Sequence, residues 1–289
     1  MKNSIKVVEY DELSSLLLYL NQLGDKYLYR GMANSDWKLK TSINRFLDDL
    51  RKKTNNPLLS DTNQNLQAEF LSQVQICKNQ SEGLNRVFGR SSNETFTINE
   101  ETFIFLQVVL QHYEFPTRLL DWTKNYNIGL YFCIEDITQS GDVAIWAVPK
   151  NKIRNVEESI SDNMYLYETE MFENNKLVKF YQRLKPGIYL INTNGFSRIK
   201  AQDGVEIVTG ASDYMDFQDH LLEDRNFEKD EIVKVVIKKT LRSKIVDHVT
   251  KLGLNRVSLY PDDITDGYLK YDKSILEEIM LKTYFNWKL

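Results

Sequence analysis

Gln111-His112-Tyr113-Glu114-Phe115-Pro116-Thr117-Arg118-Leu119-Leu120-Asp121-Trp122-Thr123 is the stretch on which the reading of this chain turns. It leaves one apolar segment, Phe103 to Leu110, and runs into another, Ile128 to Ile134. Pro116 biases Phe115 away from helical angles. The spacing therefore predicts a helix ending on His112 and Tyr113, a turn at Pro116, and a second helix from near Asn125. Two readings of that turn stand side by side. In the structural one, Arg118 and Asp121 pair to keep a half-buried turn polar, and Trp122 is core. In the functional one the same groups wall a pocket. Structural ion pairs outnumber catalytic ones, so spacing alone favours the first.

The rest of the chain describes an ordinary globular body. Its 289 residues can bury a sizeable core, and 42% hydrophobic with 27% charged residues is a typical balance. A net charge of −4 argues against a surface coated for non-specific phosphate binding, although a local basic patch survives such an average. Cys77 and Cys133 sit in apolar helical contexts and read as thiols of a reducing cytoplasm. The start of the sequence does not read as a signal peptide, and no apolar window reaches membrane length, so no membrane span is expected.

Outward from the signature, helices are expected at Leu13 to Leu20 and Leu66 to Gln80 on apolar spacing of three and four, and from a Thr41 or Ser42 cap to about Lys53. Strands are expected at Ile5 to Tyr10, Tyr27 to Tyr29, Val143 to Val148, Ile188 to Ile191, Val205 to Val208, Ile232 to Ile237 and Val257 to Tyr260. Leu241 to Leu252 and Gly267 to Tyr284 read as helices. Helices lead and strands crowd the second half. This is an α+β fold with a mixed or antiparallel sheet core and a helical N-terminal half, one domain over 1–289 with a helical insert at about 42–100.

The chemical inventory is short. His112, His220 and His248 with two isolated Cys offer no zinc spacing. Asp121, Asp142 and Asp203 carry no spacing that asks for magnesium. There is no P-loop, no dinucleotide-binding glycine run and no nucleophile elbow. What remains is Arg30 at a strand end beside Gly31, which would permit an unusual backbone angle, together with His112, Tyr113, Thr117, Arg118, Asp121 and Gln202. Such a set suits an anionic ligand, because Arg offers a bidentate fork and aromatic rings a stacking face.

The central stretch resembles the signature of the FRG domain family, which reads Q-H-Y-G-x-P-T-R-L-L-D-W-T before an apolar segment. Tyr29-Arg30-Gly31 is similar to the aromatic-Arg-Gly motif that names the family. Trp37-Lys38-Leu39 with Arg45 matches its continuation, Arg198 to Gly204 its R-I-x-A-Q-x-G block, and Leu252 to Asp262 its ending. The core motifs so span about 27–267. The chain departs at Glu114, where Gly is usual, and at Glu206, where an aromatic is usual.

The resemblance implies a place among bacterial mobile and anti-phage loci. The aromatic-Arg-Gly element also looks like the first motif of ADP-ribosyltransferases, which makes an ADP-ribosyltransferase-like fold an expectation. On that comparison Tyr29, Arg30, Gly31, Tyr113, Thr117, Arg118 and Asp121 would bind NAD, used as substrate and not as a resident cofactor. Gln202, Glu206 and His112 would supply the chemistry of transfer or of NAD glycohydrolysis. The alternative from the same residues is a non-enzymatic module that binds a nucleotide or nucleic acid. Neither reading names a macromolecular target, and neither involves a membrane.

Overall fold

The signature stretch does not stay a turn between two helices; it becomes a strand at the middle of a sheet. The computed structural model describes residues 3–54, 84, 107–112, 114–155, 187–191, 197–210 and 215–261. Along the chain come β1 (Ile5–Tyr10), α1 (Leu13–Leu23), β2 (Tyr27–Met32), α2 (Ser42–Thr54), β3 (Leu119–Thr123), α3 (Tyr126–Ile134) and β4 (Val143–Pro149). They are followed by β5 (Arg154–Asn155), β6 (Ile188–Ile191), α4 (Ser197–Ala201), β7 (Gly204–Thr209), α5 (Phe217–Glu223), β8 (Ile232–Ile237), α6 (Arg242–Lys251) and α7 (Arg256–Leu259). The expected helices at 66–80 and 267–284, most of the insert at about 42–100, Cys77 and Tyr113 lie outside the described residues.

The eight described strands form one sheet in the order β1-β8-β4-β2-β3-β7-β6-β5. β1 runs parallel to β8 and β5 to β6, while the other neighbours are antiparallel. The α+β class and the mixed sheet are as the sequence implies. The N-terminal half, however, contributes β1, β2 and β3 as well as its helices, and two of those strands are central.

Each face of the sheet carries its own core. One gathers Leu16 and Leu20 of α1, Leu130 and Cys133 of α3 and Ile245 and Val249 of α6 over Tyr29, Ile145 and Val235. The other packs Phe217 and Leu221 of α5 against Leu28, Trp122, Trp146 and Ile207. Covered on both sides, β4 is buried along its whole length, which is why it reads as an unbroken apolar run.

Three sequence expectations need correcting. Arg118 and Asp121 do not pair: in extended chain, residues three apart leave on opposite sides. Arg118 is buried at 3% exposure, whereas the Asp121 side chain is 54% exposed. Trp122, by contrast, is core as expected, tilted against Phe217. Val257 to Tyr260 is not a strand, because Asn255 builds a capping box with Ser258 and starts α7 there. Gly31 does not adopt a positive φ; the positive-φ glycines among the described residues are Gly24, Gly187 and Gly253. Its reason is close approach, since a Cβ there would lie 2.0 Å from the Gly129 carbonyl oxygen of α3.

The helix before the signature, described over 107–112, ends in a Schellman motif. Phe115 N–H donates to Leu110 and Glu114 N–H to Gln111, with Glu114 at φ 65°. That left-handed angle explains why glycine suits the position where this chain has Glu. Gly lacks the Cβ clash that costs L-residues there, so Glu114→Gly is expected to stabilise the protein by about 1 kcal/mol in denaturant melts. A loss of stability would show that the Glu114 side chain makes a compensating contact.

At the other end of the sheet, Asp224 is buried at 1% side-chain exposure. It accepts both Arg154 Nη1 (2.8 Å) and Nη2 (3.1 Å), the Ile188 N–H and the Asn226 N–H. This carboxylate fixes β5 and the start of β6 to the loop after α5. Asp224→Ala strands a guanidinium and two backbone donors, and is expected to cost roughly 3–5 kcal/mol. A melt within 1 kcal/mol of the parent (an ordinary exposed pair) would contradict that role.

Candidate functional site: a cationic cleft over a carboxyl pair

β2 and β3 share a single register pair, Tyr29 opposite Thr123. Beyond it the strands part. Across the gap Arg30 Nη1 donates to the Asp121 backbone carbonyl at 2.5 Å and stands 4.0 Å from its carboxylate Oδ2. The guanidinium thus takes a carbonyl that a continued ladder would have paired. Over this parting lies a cleft of about 750 Å³, whose lining includes Arg30, Trp37, Lys38, Lys40, Arg45, Asp121, Phe132, Arg198, Gln202 and Tyr260. Arg30 is 22% exposed there, and among the described residues its other N–H groups have no acceptor.

The signature wires Asp121 into place. Thr117 donates its hydroxyl to Gln111 Oε1, and Gln111 Nε2 donates to Asp121 Oδ1 at 3.1 Å. Ser42, at the start of α2, accepts the Thr117 N–H at 2.9 Å, and the Ile43 N–H bonds the Thr117 carbonyl. A helix start, a helix end and a strand are so tied through one threonine, which is fully buried.

Directly across the ladder from Asp121 sits Glu206 of β7. Glu206 is 4% exposed, and its Oε2 is buried with no hydrogen-bond partner. Burial first, then the charge of Asp121 and the bond to it, push the Glu206 carboxyl well above the usual range against the pull of Arg30 and Arg198. Asp121 moves the other way. Its enclosure at the cleft floor raises it, but Arg30, the bonds from Glu206 and Gln111, and Arg198 together hold it below the ordinary carboxylate value. A proton between the two carboxyls is therefore favoured on the buried one. On the far side of Asp121 a small pocket of about 50 Å³ is bordered by Gln111, His112, Arg198, Gln202 and Glu206.

Opposite the Arg30 wall, Tyr260 is held between two guanidiniums, Arg198 at 4.5 Å and Arg256 at 5.1 Å from its ring centre. Its hydroxyl donates to Glu135 Oε2 at 2.9 Å, and burial above all pushes that phenol up. Gln202 bridges the same wall, donating Nε2 to the Leu259 carbonyl while its own carbonyl accepts from Thr123.

Residues 25–142, from just before β2 to the start of β4, match the family model of the FRG domain. The chain carries an FRG domain. Neither the curated proteins nor the solved structures yielded a match. The matched residues bring the Arg30 and Asp121 sides of the cleft, and the later blocks around Arg198 and Tyr260 supply the opposite wall.

The structure therefore brings together Tyr29, Arg30, Gly31, Asp121 and Gln202 at the cleft, with Glu206 behind Asp121 and His112 at the small pocket only. Tyr29 is fully buried, its hydroxyl bonded to the Gly24 carbonyl at 2.6 Å, and it supports the FRG motif from below. Thr117 and Arg118 are buried and border neither cavity. Sequence reasoning did not promote Trp37, Arg45, Arg198 and Tyr260 to the site, although each stood inside a quoted family block. Gln111 was missed as the partner of Asp121. Asp121, Asp142 and Asp203 do not gather: Asp142 holds the Lys239 N–H and Lys238, and Asp203 lies beside Lys124. Among the described residues no cluster of three His, Cys, Asp or Glu could hold a metal, and no helix is long and apolar enough to cross a membrane.

Because the Arg30–Asp121 pair opens onto the cleft, Asp121→Asn orphans no buried charge. It is expected to melt within about 1 kcal/mol of the parent, as exposed pairs do. A loss of several kcal/mol in chemical denaturation would return Asp121 to a structural role.

Proposed function

We propose that the FRG domain cleft binds a phosphate-bearing nucleotide of the NAD type and acts at its N-glycosidic bond. The single observation that carries this reading is the Asp121 carboxylate, held low beside Arg30 in a cleft that Arg30, Arg45 and Arg198 line together with two further carboxylates, Asp36 and Asp136. Guanidiniums suit a diphosphate through planar, bidentate contacts, and the exposed Trp37 offers a ring face at the rim. When the bond between nicotinamide and ribose breaks, nicotinamide leaves neutral with the electron pair and positive charge develops on the ribose. Asp121 stabilises that charge from a fixed position, which is the kind of preorganised electrostatic help that lowers a barrier. Water or a nucleophile of a macromolecular target then completes glycohydrolysis or ADP-ribosyl transfer. NAD consumption of this kind fits an anti-phage role in a bacterial cytoplasm.

This assignment gives the catalytic carboxylate to Asp121. Gln202 is engaged with the Leu259 carbonyl, and Glu206 does not border the cleft.

Two variants test it. Arg30→Lys keeps the charge and loses the fork, and is expected to fold normally while weakening NAD binding by roughly 1.5–3 kcal/mol in calorimetry. Asp121→Asn is expected to bind NAD within a few fold and to release nicotinamide about 100-fold more slowly. Nucleotide binding by the parent protein with no nicotinamide release would leave the non-enzymatic module. Equal affinity of parent and Arg30→Lys for every nucleotide tried would remove Arg30 from the site.

A further inference from the structure

Asp121 and Arg30 are close enough to close on one another, and they do not. Their nearest charged atoms, Nη1 and Oδ2, stand 4.0 Å apart, at the limit of an ion pair, and the carboxylate has two other polar neighbours. One is Gln111 Nε2, 3.1 Å from Oδ1. The other is Glu206, directly opposite on β7 and bordering the same small pocket, and the pair is unusual because it sets two acceptors side by side. A carboxylate has no hydrogen to give, so a bond between two carboxyl groups exists only when one of them is protonated. Glu206 Oε2 is buried with no N–H or O–H partner, which marks Glu206 as the group that must carry the proton.

We propose that Glu206 is a positioning residue, a neutral donor that holds Asp121 off Arg30 and so leaves the Arg30 guanidinium open to an anionic ligand. The inference rests on the cleft being an anion site, as argued above, and adds a control built into its floor. When Glu206 loses its proton, Asp121 loses a donor and gains a like charge beside it. Asp121 then turns to Arg30 and competes with the ligand's phosphate. The charged and titratable groups around Glu206 set where this happens: Asp121 on β3, Arg30 on β2, Arg198 on α4, and His112 of the helix before the signature. Asp121 opposes deprotonation, and the two Arg favour it.

The sign follows. A neutral Glu206 is favoured below its raised folded-state value, so anion affinity is full below that value and falls as pH rises through it. The same displacement penalises folding increasingly above the ordinary Glu value of about 4.3.

The test uses the whole chain with ADP as probe and needs no turnover. Side-chain carboxyl ¹³C titration of the parent should show one Glu that titrates well above the ordinary Glu value, absent from Glu206→Gln. Calorimetric ADP affinity of the parent should fall several-fold from neutral to alkaline pH. Glu206→Gln, which keeps a donor and cannot ionise, should bind with no such alkaline fall. Glu206→Leu, which has no donor, should bind about tenfold more weakly at every pH, and the Gln variant should recover that loss. Thermal melts add a readout independent of ligand: Glu206→Gln should gain on the parent as pH rises from 4 to 8. A Glu206 carboxyl that titrates below pH 5, or a Gln variant as weak as the Leu variant, overturns the proposal. If ADP binds at no pH, the nucleotide reading fails by itself, and the carboxyl titration and the melts still decide the role of Glu206.

Discussion

The cleft depends on two strands that pair at one residue and then separate. Had the ladder between β2 and β3 continued past Tyr29 and Thr123, their backbones would have met and Arg30 would have had no gap to cross. The separation is held from beneath. Gly31 lets the α3 backbone at Gly129 come within a distance that excludes any side chain, so β2 is clamped onto α3 just where it leaves β3. Gly129 in turn has Ile145 and Tyr29 against its own bare position. The aromatic-Arg-Gly motif is thus three jobs on consecutive residues: a buried anchor, a cleft guanidinium and a close helix contact.

Above that clamp, charge is arranged by register. The period of a strand puts Asp121 and Glu206 directly opposite one another, and their environments then divide them. Asp121 opens to the cleft and to Arg30; Glu206 lies under protein. Two like residues set side by side are pushed in opposite directions, Asp121 down beside Arg30 and Glu206 up by burial. Neither the spacing of the two residues along the chain nor their types would reveal this.

The fold was legible wherever burial leaves a clean pattern. Val143 to Val148 and Ile232 to Ile237 read as strands because both sides are covered, and Leu13 to Leu20 as a helix because only one stripe is. The signature misled for a related reason. Leu119 to Thr123 interrupts its apolar run with Asp121, and a charged residue in the middle of a five-residue strand looks like a turn until the cleft it faces is known. Val257 to Tyr260 has strand-forming residues, but the Asn255–Ser258 capping box outweighs so short a run. At the site, Arg30 and Asp121 could be named from their motifs. Their pairing could not, because it joins residues ninety-one positions apart through a sheet order that crosses over.

The arrangement of strands also separates what can be recognised in the sequence from what can fold. The family match stops at residue 142, one position before β4 begins. Yet β4 is the partner of β2 along six register pairs, and β7 the partner of β3 along five. A polypeptide cut to the matched residues would hold β2 and β3 joined at one pair, each with an unpaired edge. One of those edges would be the apolar Leu119-Leu120-Asp121-Trp122-Thr123. Unpaired edges of that kind recruit strands from other molecules. The smallest piece able to carry this cleft therefore reaches from β2 to Tyr260, and the sequence signature marks one side of a cleft whose other wall lies elsewhere in the chain.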